Sequence, residues 1–153
     1  MAESVGAPVP GTPRLLRAIN DRAALELLLE RGPMSRAEIG AFTGLSKPTA
    51  SQLLMRLKEA GLVVLEGHRE GQRGPSAELY ALNPASAHVA GLDVNEERIQ
   101  VAVADVTGRV LAEHELPTPP RGAGDATVRT RTALEAATER AGLSLPEIGR
   151  AHV

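Results

Sequence analysis

The feature that most constrains this chain is the segment 35–60, where the sequence predicts two short helices joined by almost no linker. Ser35 and Glu38 form a capping box, because the serine hydroxyl can accept a free backbone N–H while the glutamate carboxylate accepts the serine N–H. Gly44 suits the tight turn that ends this helix, since glycine tolerates a positive φ. Ser46 then caps the next helix, so that local signals mark both helices and the turn between them.

Two helices that cross so closely need small side chains at the point of contact. Gly40 in the first helix and Ala50 in the second supply them, and Leu45 and Leu53 are expected to hold the corner against a preceding helix. That helix is predicted over 14–31 by apolar residues at helical spacing, namely Leu15, Leu16, Ile19, Ala23, Leu27 and Leu28. The combined pattern indicates a helix-turn-helix, because a simple helical hairpin would show only some of these features.

A β-hairpin is predicted directly after the third helix. Segments 62–65 and 78–82 are strand-like, and the glycine-rich polar stretch 67–76 lies between them. Three helices followed by such a hairpin form a winged helix-turn-helix. We therefore assign 14–83 to a winged helix-turn-helix domain, for which double-stranded DNA is the predicted partner.

The candidate DNA-facing residues follow from this assignment, because the third helix of such a domain enters the major groove. Glutamine can bond adenine through two hydrogen bonds, lysine can contact guanine or phosphate, and small hydroxyls can reach either. Arginines of the hairpin can contact the phosphate backbone of the DNA or enter the adjacent minor groove. The predicted set is Arg36, Ser46, Lys47, Thr49, Ser51, Gln52, Arg56, Arg69 and Arg73.

Each of these predictions has a plainer alternative. The polar side of the third helix can be an ordinary solvated face, and Ser46 can be a helix cap and nothing more. Arg69 and Arg73 can belong to a mobile charged loop. The motif as a whole favours DNA contact by the face more strongly than by any single residue.

Charge and composition exclude several other classes of protein. The net charge of −2 does not indicate nucleic-acid binding by itself, although 14–78 hold ten basic against eight acidic residues. The absence of cysteine excludes disulfides and thiolate metal sites, and the four scattered histidines form no helix-spaced ligand pair. We expect no cofactor and no metal. No apolar run approaches the roughly 18–20 residues of a membrane span, and no signal peptide is recognisable, so we expect no membrane contact and a cytoplasmic location.

The character of the chain changes after residue 83. Three strand-like segments, 88–94, 98–105 and 109–116, are joined by short turns, which predicts an antiparallel meander. A helix over 126–141 follows, with Asp125 as its cap and Leu134 on its apolar face. Residues 1–13, rich in proline and glycine, read as a disordered leader.

Two unrelated sets of motifs, in this order, make the chain resemble the ROK family of repressors, open reading frames and sugar kinases. More narrowly, it resembles the transcriptional regulators of that family, xylose repressors included. The resemblance covers about 14–147 and is carried by Asn20 and by the segments 35–39, 43–49, 57–63, 73–75, 91–94, 99–105 and 108–111.

The resemblance implies an α+β chain, with the winged helix-turn-helix followed by the incomplete start of an actin-like, sugar-kinase-type domain over 84–147. In such regulators a sugar or sugar phosphate binds between two lobes and alters DNA affinity in a dimer or tetramer. The implied function is that of a sequence-specific DNA-binding regulator, a repressor of sugar-metabolism genes. The sugar effector and the homodimer are implied for the full-length protein only.

The resemblance does not extend to kinase chemistry. Sugar kinases of this type follow the first-strand aspartate with a glycine- and threonine-rich phosphate turn, whereas Asp93 is followed here by Val94, Asn95, Glu96 and Glu97. Two glutamates repel a phosphate, and no glycine lets the backbone approach it. We therefore expect no enzyme. The alternatives are a ROK-type sugar kinase fragment, or a self-contained winged-helix regulator without a ligand whose C-terminal part only dimerises.

The last residues raise a separate expectation. The stretch 147–153 matches, in one reading frame, the translation of a widely used sequencing adapter, in which the next codon is a stop. We therefore expect 148–153 to be a non-native tail and the second domain to be truncated near residue 147.

Overall fold

The computed structural model describes residues 12–69, 77–119 and 124–149, so most of the predicted leader lies outside the described residues. The chain divides into two compact units, Met1–Leu82 and Asn83–Val153. Each unit has its own hydrophobic cluster and is described by itself.

The first unit contains three helices and a small antiparallel sheet. In chain order the elements are α1 (Pro13–Arg31), β1 (Met34–Ser35), α2 (Arg36–Thr43), α3 (Lys47–Glu59), β2 (Val63–Arg69) and β3 (Ala77–Leu82). The strand order is β1-β3-β2, in which β2 and β3 form the predicted hairpin. The pairing of β2 shifts register between Leu65 and His68, where Gly67 adopts a φ of 114° that favours glycine.

The core of the first unit confirms the predicted packing of the helix-turn-helix. The buried stripe of α3 packs with residues of the other helices and of the sheet, namely Ala24, Leu28, Met34, Ile39, Leu53, Leu54, Leu57 and Val63. Leu45 packs against the same cluster, and Ala50 is fully buried. The interior of the corner between α2 and α3 is therefore packed with aliphatic side chains.

The first helix forms as predicted, but its apolar stripe is not buried along its whole length. Leu15, Leu16 and Ile19 expose 53%, 54% and 53% of their surface, whereas Ala24 and Leu28 are buried. The sequence spacing was therefore right about the helix and wrong about which part of it packs. Only the second half of α1 meets the rest of the domain, so its first two turns keep their aliphatic side chains in solvent.

The second unit is the predicted antiparallel meander with a helix on one face. Its elements are β4 (His88–Val94), β5 (Arg98–Asp105), β6 (Val110–Pro117) and α4 (Ala126–Arg140), with strand order β4-β5-β6. Burial alternates along β5, and Ile99, Val101 and Val103 cluster with Ala133 and Ala137 of α4. Beyond α4 the chain returns to the sheet edge, where Ile148 bridges His88 in parallel orientation.

Candidate nucleic-acid interface

The crossing of α2 and α3 is set by Gly40. A Cβ atom at this position would lie 3.3 Å from the backbone oxygen of Leu45 and 3.8 Å from the Cβ of Ala50. The first distance is shorter than an ordinary van der Waals contact, and it involves backbone, which cannot move aside easily. The expectation of a small residue at this contact is confirmed, and it fixes how α3 is presented to a ligand.

Capping fixes the start of α2. The Ser35 backbone N–H donates to the Glu38 carboxylate over 2.8 Å, and the Glu38 N–H donates to the Ser35 hydroxyl over 3.3 Å. Gly44 ends the helix with a φ of 70°, in the left-handed region. The predicted capping box and C-terminal glycine are both confirmed, and together they limit α2 to the two turns between them.

The start of α3 is capped by Ser46, whose hydroxyl accepts the Thr49 backbone N–H over 3.4 Å. The hydroxyl groups of Ser46 and Thr49 also share a hydrogen bond of 2.8 Å. Both side chains are exposed, so each hydroxyl keeps capacity for a further partner. Ser46 is therefore a helix cap in this structure, and its contact with DNA stays a prediction.

The polar face of α3 is open along its first two turns. Lys47 and Gln52 are exposed, and Ser51 is half-buried. Ser51 donates to the Lys47 carbonyl oxygen over 2.9 Å and accepts a hydrogen bond of 3.1 Å from the Arg36 guanidinium. Arg36, at the first position of α2, is thereby drawn across the turn to α3, and the two helices present one continuous surface of donors and acceptors.

Arg56 occupies a different environment from the other predicted residues. Its Nη2 atom lies 2.6 Å from the Asp21 carboxylate of α1, and the two side chains are 35% and 28% exposed. The guanidinium therefore ties the end of α3 to α1. It is not grouped with the open face at the start of α3.

The hairpin residues are placed only in part. The backbone of Arg69 ends β2 opposite Ala77, while Arg73 lies outside the described residues. The structure adds neighbours that the sequence reasoning missed, in a cleft between the start of α2 and the hairpin lined by Ser35, Arg36, Ala37, His68, Ala77, Glu78 and Tyr80. The sequence offered one signal for this cleft. Glu78 and Tyr80 are two positions apart on a predicted strand, so their side chains lie on the same face of it.

Tyr80 is held in this cleft by an acidic neighbour. Its hydroxyl donates to the Glu78 carboxylate over 3.2 Å. Burial raises the pKa of the Tyr80 phenol, and the negative charge of Glu78 raises it further. The phenol therefore stays protonated, and its single O–H is donated to the Glu78 carboxylate within the cleft.

No group of three or more histidine or acidic side chains is arranged to hold a metal ion in the ranges 12–69, 77–119 and 124–149. Within the same described part of the chain, no helix combines the length and hydropathy needed to cross a membrane.

Comparison with known proteins finds similarity that includes the first unit. Residues 15–74 match the model of the MarR family. The xylose repressor of Bacillus spizizenii is 26% identical over 98 residues, which are 64% of this chain and 26% of the relative. The DNA-binding transcriptional dual regulator NagC of Escherichia coli is 24% identical over 111 residues, which are 72% of this chain and 27% of the relative.

A solved structure of a ROK family transcriptional regulator, a homolog of the E. coli MLC protein, aligns with a TM-score of 0.48 and 18% identity. The alignment covers 67% of this chain and 26% of that one. The chain thus spans about a quarter of the length of the curated relatives described above. The curated relatives are named as transcriptional regulators, and the similarity to xylose repressors that the motifs indicated is confirmed.

Proposed function

We propose that this chain, a relative of the ROK-type transcriptional regulators, binds specific sequences of double-stranded DNA and represses genes of sugar metabolism. The observation that carries the proposal is the open polar face at the start of α3, on a helix whose crossing angle is fixed by Gly40. A rigidly held helix with exposed polar groups at its N-terminal end has the properties needed to read a major groove.

The proposed contacts divide by chemistry. Lys47 and Gln52 are the base-reading residues, because their exposed side chains reach guanine and adenine edges respectively. Thr49, Ser46 and the Arg36–Ser51 pair contact phosphate or base edges from the same surface. Arg56 serves mainly to hold α3 against α1.

The hairpin supplies the second part of the proposed interface. Arg69 and Arg73 extend the contact with DNA toward its phosphate backbone or its neighbouring minor groove. Arg36 lines the cleft at the base of the hairpin, and its exposed guanidinium can hold a phosphate there. Contacts of this kind set the register of a protein on DNA.

We further propose that the second unit is the beginning of an actin-like domain whose longer form binds a sugar or sugar phosphate. The support is topological, because an antiparallel meander is followed by a helix that packs against the central strand. The sugar effector, the homodimer and the cytoplasmic location are also part of this proposal. They are proposed and not observed, because the chain covers only about a quarter of the length of its relatives.

Kinase activity is not part of the proposal. At the turn after β4, the Asn95 side-chain oxygen accepts the backbone N–H groups of Glu97 and Arg98 over 3.0 and 2.9 Å. Those amides are therefore occupied within the turn and do not form a phosphate cradle. The two adjacent glutamates add a repulsive charge, so the turn is suited to closing a hairpin.

The proposal is tested by selecting bound DNA from a random library and then measuring the affinity of variants for the selected site. Lys47→Ala and Gln52→Ala should each weaken binding by about 1–3 kcal/mol, the usual worth of one good base contact. Lys58→Ala is the matched control, because Lys58 is also basic and exposed but lies in the last turn of α3. Failure to select any common sequence, or equal losses for Lys58→Ala, would contradict the proposal.

A further inference from the structure

One large hydrophobic side chain lies on the outward face of α3 and has no part in the contacts assigned so far. Met55 is 55% exposed, whereas the leucines of this helix, Leu53, Leu54 and Leu57, are buried. Helix α3 is described along its whole length, and Met55 is the single exposed large hydrophobic residue on it. Its position on the helix decides what it can contact.

Met55 projects away from the core of the first unit. At roughly 100° of rotation per residue, Met55 lies about 140° and 160° around the axis of α3 from the buried residues Ala50 and Leu53. The same rotation places it between Ser51 and Gln52, about 40° from the first and 60° from the second, and one turn further along the helix. Met55 therefore shares an outward face with Gln52, the exposed residue proposed to read a base.

The polar neighbours of Met55 narrow the choice of partner. A surface that docks another protein is a contiguous apolar patch, larger than one side chain provides. The outward face of α3 instead combines Met55 with Lys47, Ser51 and Gln52, which form hydrogen bonds. Among the bases that line a major groove, thymine presents a C5-methyl group, which apolar side chains contact. Methionine suits such a contact, because its flexible and polarisable side chain adapts to an irregular surface.

We propose that Met55 contacts the C5-methyl group of a thymine and so makes this base part of the recognised sequence. The step rests on the proposed function, in which α3 enters the major groove. Met55 follows Gln52 by three residues, about 4.5 Å along the helix axis, and successive base pairs lie roughly 3.4 Å apart. When Gln52 bonds an adenine, Met55 therefore lies over the adjacent base pair, on the side of the C-terminal end of α3.

The contribution of this contact can be isolated chemically. Removing one methyl group from an apolar contact lowers the affinity about fourfold. Deoxyuridine lacks the C5-methyl group of thymine and keeps its hydrogen-bonding groups, so replacing a single thymine removes the methyl group alone. The contact between Gln52 and adenine depends on hydrogen bonds, so the loss of a methyl group on the neighbouring base pair leaves it in place.

The experiment measures the affinity of the full chain for the selected DNA site, with deoxyuridine replacing each thymine in turn. One replacement should weaken binding about three- to fivefold, beside the adenine that the Gln52→Ala variant no longer distinguishes from other bases. The Met55→Ala variant should bind this DNA and the thymine-containing DNA equally well, whereas Met55→Leu, which keeps an apolar side chain, should still prefer thymine. Leu29→Ala, at a residue 53% exposed on α1, is the matched control and should keep the native preference.

The outcomes separate this contact from the proposed function. If the native chain binds every deoxyuridine-substituted site as well as the original, or if Met55→Ala keeps the full preference for thymine, the Met55 contact is overturned while DNA binding by α3 stands. Met55→Ala binding both DNAs more weakly by the same factor would also overturn it. Failure to select any common DNA sequence would overturn the proposed function and this contact with it. Thermal unfolding followed by circular dichroism verifies that each variant is folded.

Discussion

The guanidinium of Arg36 donates a hydrogen bond of 3.1 Å to the Ser51 hydroxyl, which joins the first residue of α2 to the second turn of α3. The two residues are fifteen positions apart in sequence and lie on either side of the turn that ends at Ser46. The contact holds an arginine beside the reading helix without burying it, because Arg36 remains exposed. A charge placed in this way is available to DNA at little cost in side-chain entropy.

We expect Arg36→Ala to lower the affinity for the selected DNA site several-fold while changing the free energy of unfolding by less than about 0.5 kcal/mol, as is usual for an exposed residue. Ser51→Ala should give a smaller loss of affinity, because it removes the anchor of Arg36 and keeps the charge. The measurement is a titration at several salt concentrations. The slope of log affinity against log salt should fall for Arg36→Ala if the guanidinium meets phosphate. Arg17→Ala, an exposed arginine of α1, should leave the slope unchanged.

Gly40→Ala should destabilise the first unit, because the added methyl group meets the Leu45 backbone oxygen at 3.3 Å. Overpacking of this kind costs about 1–3 kcal/mol, and urea unfolding measures it. Gly91→Ala in β4 is the control, since a Cβ there has no neighbour within 4 Å and the residue is not among the glycines of positive φ. A Gly40→Ala protein as stable as the native chain would show that the helix crossing tolerates a larger residue.

The ion pair between Arg56 and Asp21 gives a prediction that separates support from DNA contact. Asp21→Asn and Arg56→Ala should each lower the free energy of unfolding by about 0.5–1 kcal/mol, because both side chains are only partly shielded from solvent. The affinity of the Arg56→Ala variant for the selected DNA site should change by less than twofold when it is measured under conditions in which the variant is fully folded. A loss as large as that of Lys47→Ala would place Arg56 among the residues that contact DNA, as its position on α3 first suggested.

The parts of the fold that could be predicted are those with short-range signals. The capping box at Ser35, the C-terminal Gly44 and the small residue Gly40 each depend on neighbours within about ten residues. Burial alternates along β5, and short turns join the three strands of the second unit, so the bounds of these strands agree with the prediction almost to the residue. These features reflect local chemistry and not the packing of distant segments.

The parts that could not be predicted depend on contacts between residues far apart in the chain. Which half of α1 is buried is decided by where α2 and α3 pack, and not by its own apolar spacing. Asp21 and Arg56 meet across 35 positions, and β1 forms by pairing with the distant strand β3. Phe42 of α2 is 54% exposed, and the Arg31 guanidinium lies 4.1 Å from the centre of its ring.

The last prediction concerns pH and the second unit. Burial by itself raises the pKa of Asp105, but hydrogen bonds from the Thr107 hydroxyl, the Thr107 backbone N–H and the Arg109 N–H outweigh it, and the pKa is lowered. Because the folded pKa lies below that of the unfolded chain, about 3.9, the carboxylate stabilises the fold above that pH, and the contribution is lost as the pH falls through the folded pKa. Urea unfolding between pH 2 and 7 should show this loss, and Asp105→Asn should be less stable at pH 7 and depend less on pH. An identical pH profile for Asp105→Asn would contradict the assignment, since the remaining carboxylates, Glu147 included, would then account for all of it.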